Sequence, residues 1–238
     1  MTPIRFCSAL VLFFLSFGYS YSSNDLKHPN TGLEKTFVQY GQMPDISYQK
    51  EMRETEAWNF FRRNHISWQV SYNEQNQKPH RAYGNGISTY GESLEVRSMN
   101  FIHDELLSFG VPVADLVLMG ISSSSKHHHV NYYQKYNGLT VLGSRLTVKM
   151  TMDNKVVLFG LDVYDDIFIS TEPSISQDNA ETVAKQGITQ SIVDVVVNPD
   201  LLVLPLPNGK KNDYRLVYEI TILTKDDAGV PANFKTWV

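Results

Sequence analysis

Three consecutive histidines, His127, His128 and His129, are the side chains best suited to chemistry, because imidazole is a common zinc ligand. Neighbouring strand residues point to opposite faces, so His127 and His129 could share one ion, whereas His128 could not easily join them. Two ligands without a nearby cysteine or carboxylate are too few for a closed zinc site. We therefore predict no metal-binding residues and favour the polar start of a strand; a bound metal is the alternative.

A group of carboxylates follows at Asp162, Asp165 and Asp166. These side chains could bind calcium or take part in acid–base chemistry, but their spacing lacks the glycine-punctuated loop of an EF-hand. We favour a strand end exposed to solvent. The serines at Ser122–Ser125 are not part of a Gly-x-Ser-x-Gly sequence, which would place a nucleophile on a sharp turn. We therefore predict no catalytic residue and no cofactor.

Two further groups each allow two interpretations. Arg62-Arg63 fits the solvated face of a helix, or a processing site for a trypsin-like protease. The tyrosines Tyr132, Tyr133 and Tyr136 could form a patch that contacts a partner. We favour ordinary cross-strand packing for the tyrosines, because aromatic side chains stabilise neighbouring strands.

Helices are predicted where apolar residues recur with helical spacing. The pattern indicates helices over Glu51–Arg63, over Ser93–Phe109, and along a stripe from Ala180 to Ile192. Gly110, followed by a proline, is expected to stop the second helix. Ser176 is a good N-cap for the third helix.

Strands are predicted where apolar and polar residues alternate. Tight turns are expected at Asn137-Gly138 and at Asp153-Asn154. Polar, turn-rich residues predict an extended lead at 23–50, a loop at 73–91 and a connector at 198–212. The predicted strands are residues 115–121, 130–136, 145–152, 155–163, 214–223 and 233–238. A helix is thus followed by an antiparallel sheet twice over, which predicts an α+β fold of two successive helix-on-antiparallel-sheet modules.

The N-terminus has the features of a secretory signal peptide. Arg5 precedes an apolar run at Ala9–Leu15, and small residues follow as far as Ser22. We predict a signal peptide at 1–22, bacterial export and no membrane association after cleavage. The formal net charge of −4 offers no basic surplus, so we expect no nucleic-acid partner.

The segment His129–Gly143, with the sequence His-Val-Asn-Tyr-Tyr-Gln-Lys-Tyr-Asn-Gly-Leu-Thr-Val-Leu-Gly, resembles the core motif of the fungalysin/thermolysin propeptide family. That motif is roughly His-Val-Arg-Tyr-Gln-Gln-x-Tyr-x-Gly-Ile-Pro-Val-Phe-Gly. The chain departs from it at Asn131, Tyr133, Thr140 and Leu142. Asp153–Val157 is similar to the family's Asp/Asn-Gly-Lys-Val-Val hairpin. Asn154 takes the glycine position there, which asparagine tolerates because it also adopts positive φ.

The last third of the chain resembles the PepSY module that follows in such pro-regions, at Pro173–Ser176, Tyr214–Ile220 and Phe234–Val238. Both resemblances together extend over residues 91–238. We expect four parts: the signal peptide at 1–22, a polar lead with one helix at 23–90, the propeptide-type module at 91–168 and the PepSY-like module at 169–238. An apolar strand ends on Val238, so we expect the second module to be truncated there and more chain to follow.

The resemblance implies a non-catalytic pro-region that assists folding of a secreted zinc metalloprotease domain and inhibits it in cis. Such a protease would contain a His-Glu-x-x-His helix, which the 238 residues lack, so we expect no enzymatic activity from the chain itself. The alternative is a stand-alone secreted module that inhibits or binds a protease in trans.

Overall fold

The structure, a computed structural model, describes residues 44–238. The predicted signal peptide and most of the extended lead lie outside the described residues. Four α-helices are present in the described part: α1 Ile46–Arg53, α2 Glu56–Asn64, α3 Leu94–Glu105 and α4 Gln177–Ala184. None of them is long and apolar enough to cross a membrane.

The helix ends follow the local sequence. Ser93 and Ser176 cap α3 and α4 by accepting a backbone N–H with the side-chain hydroxyl, as predicted for Ser176. Gly110 ends a short 3-10 turn after α3 with φ of 68°, which confirms it as the stop of the second predicted helix. The predicted helix over Glu51–Arg63 is instead interrupted near Thr55, whose hydroxyl donates to the carbonyl of Met52.

Twelve strands complete the described chain: β1 Gln69–Asn73, β2 Lys78–Ser88, β3 Leu116–Ser123, β4 His127–Tyr136, β5 Leu139–Val141, β6 Arg145–Thr151, β7 Lys155–Asp162, β8 Ser191–Val197, β9 Leu202–Asn208, β10 Lys211–Val217, β11 Glu219–Lys225 and β12 Pro231–Trp237. Nine of them form one sheet in the order β1-β2-β7-β6-β4-β5-β9-β10, with β3 also paired to β4. All pairs in it are antiparallel except β5 with β9. A second sheet has the order β12-β11-β8.

The α+β class is therefore confirmed. Both predicted tight turns are present, with positive φ at Asn137, Gly138 and Asn154. Strands β9 and β10, which the sequence placed in the second module, extend the large sheet of the first. The β1–β2 turn contacts the β9–β10 turn: Gln77 donates to the carbonyl of Lys210 over 3.1 Å. Lys210 Nζ also lies 3.5 Å from the ring centroid of Tyr48 on α1.

Two segments that were predicted to be irregular contain strands. The loop at 73–91 contains the long strand β2, and the connector at 198–212 contains most of the β9–β10 hairpin. Pro205 and Pro207 fit into β9 because, beyond Val203, that strand pairs only with β10. Pro205 and Pro207 are two residues apart, so the backbone nitrogens that lack a hydrogen both point to the side of β9 that has no partner strand there among the described strands.

The stripe from Ala180 to Ile192 is not one helix, because α4 ends at Ala184 and the chain turns at Gly187. Ile192 belongs to β8, a strand rich in β-branched residues, which favour extended backbone. The predicted strand 214–223 is also divided at Tyr218, between β10 in the large sheet and β11 in the small one.

The largest core lies between α1–α3 and the inner face of the large sheet. Its centre is aromatic: the ring of Phe159 lies 5.4 Å from Phe61 and 5.5 Å from Trp68, centroid to centroid. A smaller core joins Val141 and Val203 where β5 meets β9. A third buries Ala180 of α4 and its neighbours against the small sheet.

Candidate functional site

The outer face of the large sheet, opposite α1–α3, is polar along β4 and β6. Alternate residues of these strands, such as Val130 and Val148, are fully buried in the core, so the residues between them point outward. We call this outward set the outer patch: His127, His129, Asn131 and Tyr133 on β4, with Arg145, Thr147 and Lys149 on β6. Its members are half-buried or exposed.

Asn131 lies at the centre of the outer patch. Its Oδ1 atom accepts hydrogen bonds from Arg145 Nε over 3.2 Å, from Arg145 Nη2 over 2.9 Å and from Thr147 Oγ1 over 2.9 Å. These bonds hold the Arg145 guanidinium against the sheet. Asn131 occupies the position of arginine in the motif that the sequence resembles. Arg145, from the adjacent strand, places a cation beside this position instead.

The outer patch is electropositive. His129 is the cross-strand partner of Lys149. Burial, and then the charge of Lys149, lower the pKa of both His127 and His129. Within residues 44–238, no carboxylate oxygen lies within 4.0 Å of the charged nitrogens of Arg145 or Lys149. Their charges are thus available to an anionic group.

An open groove of about 390 Å³ adjoins the outer patch. Tyr133 belongs to both, and Arg145 directly follows the last groove residue. Met119 lies on β3, an edge strand that pairs only with β4 in the described part of the chain, and is 55% exposed, so the groove offers an apolar wall to solvent. The groove is lined by Leu118, Met119, Tyr133 and residues 140–144.

The groove wall at residues 140–144 is fixed by buried hydrogen bonds. The Ser144 hydroxyl donates to the carbonyl of Val141 over 2.6 Å and accepts the N–H of Gln134 over 2.9 Å. Leu142 N–H donates to the carbonyl of Val203 over 2.8 Å, and Gly143 has φ of 70°. The wall is therefore a rigid turn that links β4 to β9.

Gln134 fastens β4 to the segment after β7. Its Nε2 donates to the Tyr164 carbonyl over 2.6 Å, and its Oε1 accepts the Tyr164 N–H over 2.8 Å. The side chain is 1% exposed, so this pair of bonds is shielded from water. Two motif positions thus have structural roles, Gln134 here and Tyr132, whose hydroxyl lies 2.6 Å from that of Ser98 on α3.

The three aspartates are paired, and Asp165 and Asp166 are also exposed, as predicted for a solvated strand end. Asp162 accepts hydrogen bonds from His80 Nδ1 over 2.9 Å and from an asparagine on β1. Asp165 pairs over 2.8 Å with Lys78 Nζ. Asp166 accepts the hydroxyl of a tyrosine on β10. The carboxylates therefore join β2 and β10 to the end of β7.

Lys78 is the residue that sequence reasoning missed. Its ammonium is almost fully buried and also donates to the carbonyl of Phe109 over 2.9 Å. Lys78 and His80 fell in a predicted loop, so no pattern linked them to the aspartates. The spacing of Lys78 and His80 was the available signal, because in a strand residues two apart lie on one face and could both meet the aspartates.

The other sequence candidates are separated. His128 contacts Ser123 Oγ over 2.7 Å with its Nδ1 atom, away from His127 and His129 on the outer patch, as the alternation predicted. In the described part of the chain, His, Cys, Asp and Glu do not form groups of three or more suited to a metal ion. Arg62 and Arg63 are exposed at the end of α2.

The tyrosines divide between packing and exposure. Tyr132 is buried, and the Tyr136 hydroxyl donates to the carbonyl of Ile169 over 3.2 Å, so packing is confirmed for both. Tyr133 instead lines the groove, where it can contact a partner.

Comparison with known proteins identifies one family over part of the chain. Residues 125–169, which contain β4–β7 and the groove wall, match the Fungalysin/Thermolysin Propeptide Motif. This match confirms the propeptide-type resemblance for that segment. No curated protein sequence matches the chain. Among solved structures, the C-terminal domain of YpeB from Bacillus megaterium is similar, with a TM-score of 0.33 and 15% identity, over 82% of this chain and 99% of that chain.

Proposed function

We propose that the chain is a non-catalytic pro-region that assists folding of a secreted zinc metalloprotease domain and inhibits it, with both on one polypeptide. The observation that carries this proposal is the propeptide motif at residues 125–169. In this proposal residues 1–22 direct export, residues 91–168 form the propeptide-type module, and residues 169–238 form a PepSY-like module.

The roles of the motif residues support a binding function. Tyr132, Gln134 and Ser144 are buried and engaged in hydrogen bonds that hold the sheet and the groove wall together. The exposed parts of the same segment, the outer patch and the groove, are surfaces for contact with another protein.

The small sheet offers a second surface, which the bound protease domain would cover in this proposal. Strand β8 is a terminal strand of this sheet and exposes Ile192, Val193 and Val196. An apolar edge strand pairs readily with another chain, so proteins usually cover it. Folding assistance requires such broad, preformed surfaces, because they stabilise the native form of the bound partner over its unfolded chain.

The proposal is tested with the mature chain, residues 23–238, and a set of secreted zinc metalloproteases that includes thermolysin. Adding the chain to the folded protease measures inhibition, and adding it during refolding from denaturant measures folding assistance. We expect inhibition and a raised yield of active enzyme with at least one protease. Equal action on several unrelated proteases of the set would favour the module acting in trans. No effect in either assay would contradict the proposal.

A further inference from the structure

We infer that the outer patch and the groove together bind an acidic segment of the protease domain that carries an apolar side chain. This inference rests on the proposed function and adds the chemistry of the partner. The outer patch would contact carboxylates of the segment, while the groove beside Tyr133 would receive its apolar side chain.

Charge is the first argument. The whole chain has a formal net charge of −4, so a surface with neighbouring cations differs from the average of the protein. The carboxylate of Asp162, the cross-strand partner of Arg145, accepts hydrogen bonds from His80 and Asn73 instead. Arg145 and Lys149 lie on one face of β6, two pleats apart, and Lys126 precedes the histidines of β4. No carboxylate from residues 44–238 lies within 4.0 Å of the charged nitrogens of these three residues. Complementary charge on the partner would speed association and fix its orientation.

The arrangement of the cations is the second argument. Asn131 Oδ1 accepts hydrogen bonds from both Nε and Nη2 of Arg145, and these bonds fix the guanidinium before any partner binds. The remaining guanidinium nitrogen, Nη1, has no hydrogen bond to the described residues and can donate to a carboxylate. A preorganised donor loses less entropy on binding than a flexible one.

The groove is the third argument. Its exposed wall contains Met119, a flexible and polarisable side chain that adapts to the shape of an apolar partner group. Its opposite wall is the turn held by Ser144. A site with an apolar groove beside the fixed Arg145 guanidinium and the Lys149 ammonium favours an apolar side chain flanked by carboxylates.

A protein segment fits this surface better than a nucleic acid. The two histidines of the outer patch have a lowered pKa, and the whole chain repels polyanions through its negative charge. A short acidic segment needs only the local cations, whereas a nucleic acid is bound through many phosphates. A site that binds only phosphates would also have no need of an apolar groove beside its cations.

The test uses a fluorescein-labelled peptide with the sequence Glu-Glu-Phe-Glu-Glu, whose binding to the mature chain is followed by anisotropy at low salt. We expect Lys149→Glu to weaken binding by about three- to tenfold, since a reversed charge both removes an attraction and adds a repulsion. The matched control Lys225→Glu changes the net charge equally at the exposed end of β11 and should leave affinity unchanged.

A second pair of variants tests the groove. Met119→Ser should weaken binding of the peptide, whereas Met152→Ser should not, because Met152 is 52% exposed but does not line the groove. Replacing phenylalanine by alanine in the peptide should remove the difference between Met119→Ser and the unaltered chain.

Three results would overturn the inference: no binding of the acidic peptide, equal effects of Lys149→Glu and Lys225→Glu, or complete displacement of the peptide by a single-stranded oligonucleotide at equal concentration. If the chain still inhibits or refolds a protease, the proposed function stands and only this surface is misassigned. If the peptide binds as expected and no protease responds, the surface assignment stands and the proposed function fails.

Discussion

Replacing Gln134 by methionine tests whether the motif glutamine is a structural clamp. Methionine has nearly the same length and shape, so the substitution removes both hydrogen bonds to Tyr164 with little change in packing. The N–H and carbonyl of Tyr164 then lose their partners, over distances of 2.8 Å and 2.6 Å in the intact chain.

The expected loss can be worked from these two bonds. An unsatisfied buried polar group costs about 1–3 kcal/mol, and Tyr164 is only part-buried, so we expect a fall of about 2–4 kcal/mol in the free energy of unfolding. For a domain of this size, such a loss lowers the Tm by about 5–15 °C.

Urea unfolding followed by tryptophan fluorescence measures the change, because Trp58 and Trp68 are buried in the main core. Gln190→Met makes the same substitution at an exposed position and controls for the change in hydrophobicity. The clamp would be refuted if Gln134→Met lost less than about 1 kcal/mol or matched the control.

Three further predictions concern stability. Lys78→Met should lower the free energy of unfolding by about 1–3 kcal/mol in urea, since it leaves the Phe109 carbonyl unpaired while half-exposed Asp165 regains water. Tyr132→Phe should cost about 0.5–1.5 kcal/mol in the same assay, because the hydroxyl contact with α3 is lost. Burial and Lys149 lower the pKa of His129 in the folded chain, so the unfolded chain binds the proton more tightly and stability falls as pH drops below about 6.5. His129→Gln should therefore reduce the loss of Tm between about pH 7.5 and pH 5.5, and an unchanged loss would contradict this assignment.

The segment with the strongest local signals was predictable from sequence. Strands β4 and β6 alternate cleanly, and the turns at Asn137-Gly138 and Asp153-Asn154 are marked by positive φ at Asn137, Gly138 and Asn154. The face on which His127 and His129 lie followed from the same alternation. These features depend on residues close in sequence, so local patterns suffice.

The features that were missed depend on contacts distant in sequence. Strand β2 is polar because its outer face meets solvent. The buried ammonium of Lys78 is neutralised by Asp165, which lies 87 residues away in sequence. Strand β9 contains two prolines that become acceptable only because one side of the strand has no partner there. The groove also needs β3, β4 and the turn at Gly143 to meet, which no local pattern encodes.

The central claim concerns a protease domain on the same polypeptide. Its most direct test is the recovery of proteolytic activity when the protease domain that the proposal assigns to the same polypeptide is refolded from denaturant with and without residues 23–238. The account predicts that this domain contains His-Glu-x-x-His, that the pro-region raises its folded yield, and that the product stays inactive until the pro-region is degraded. A stop codon directly after Val238, or equal recovery of uninhibited activity in both samples, would contradict it.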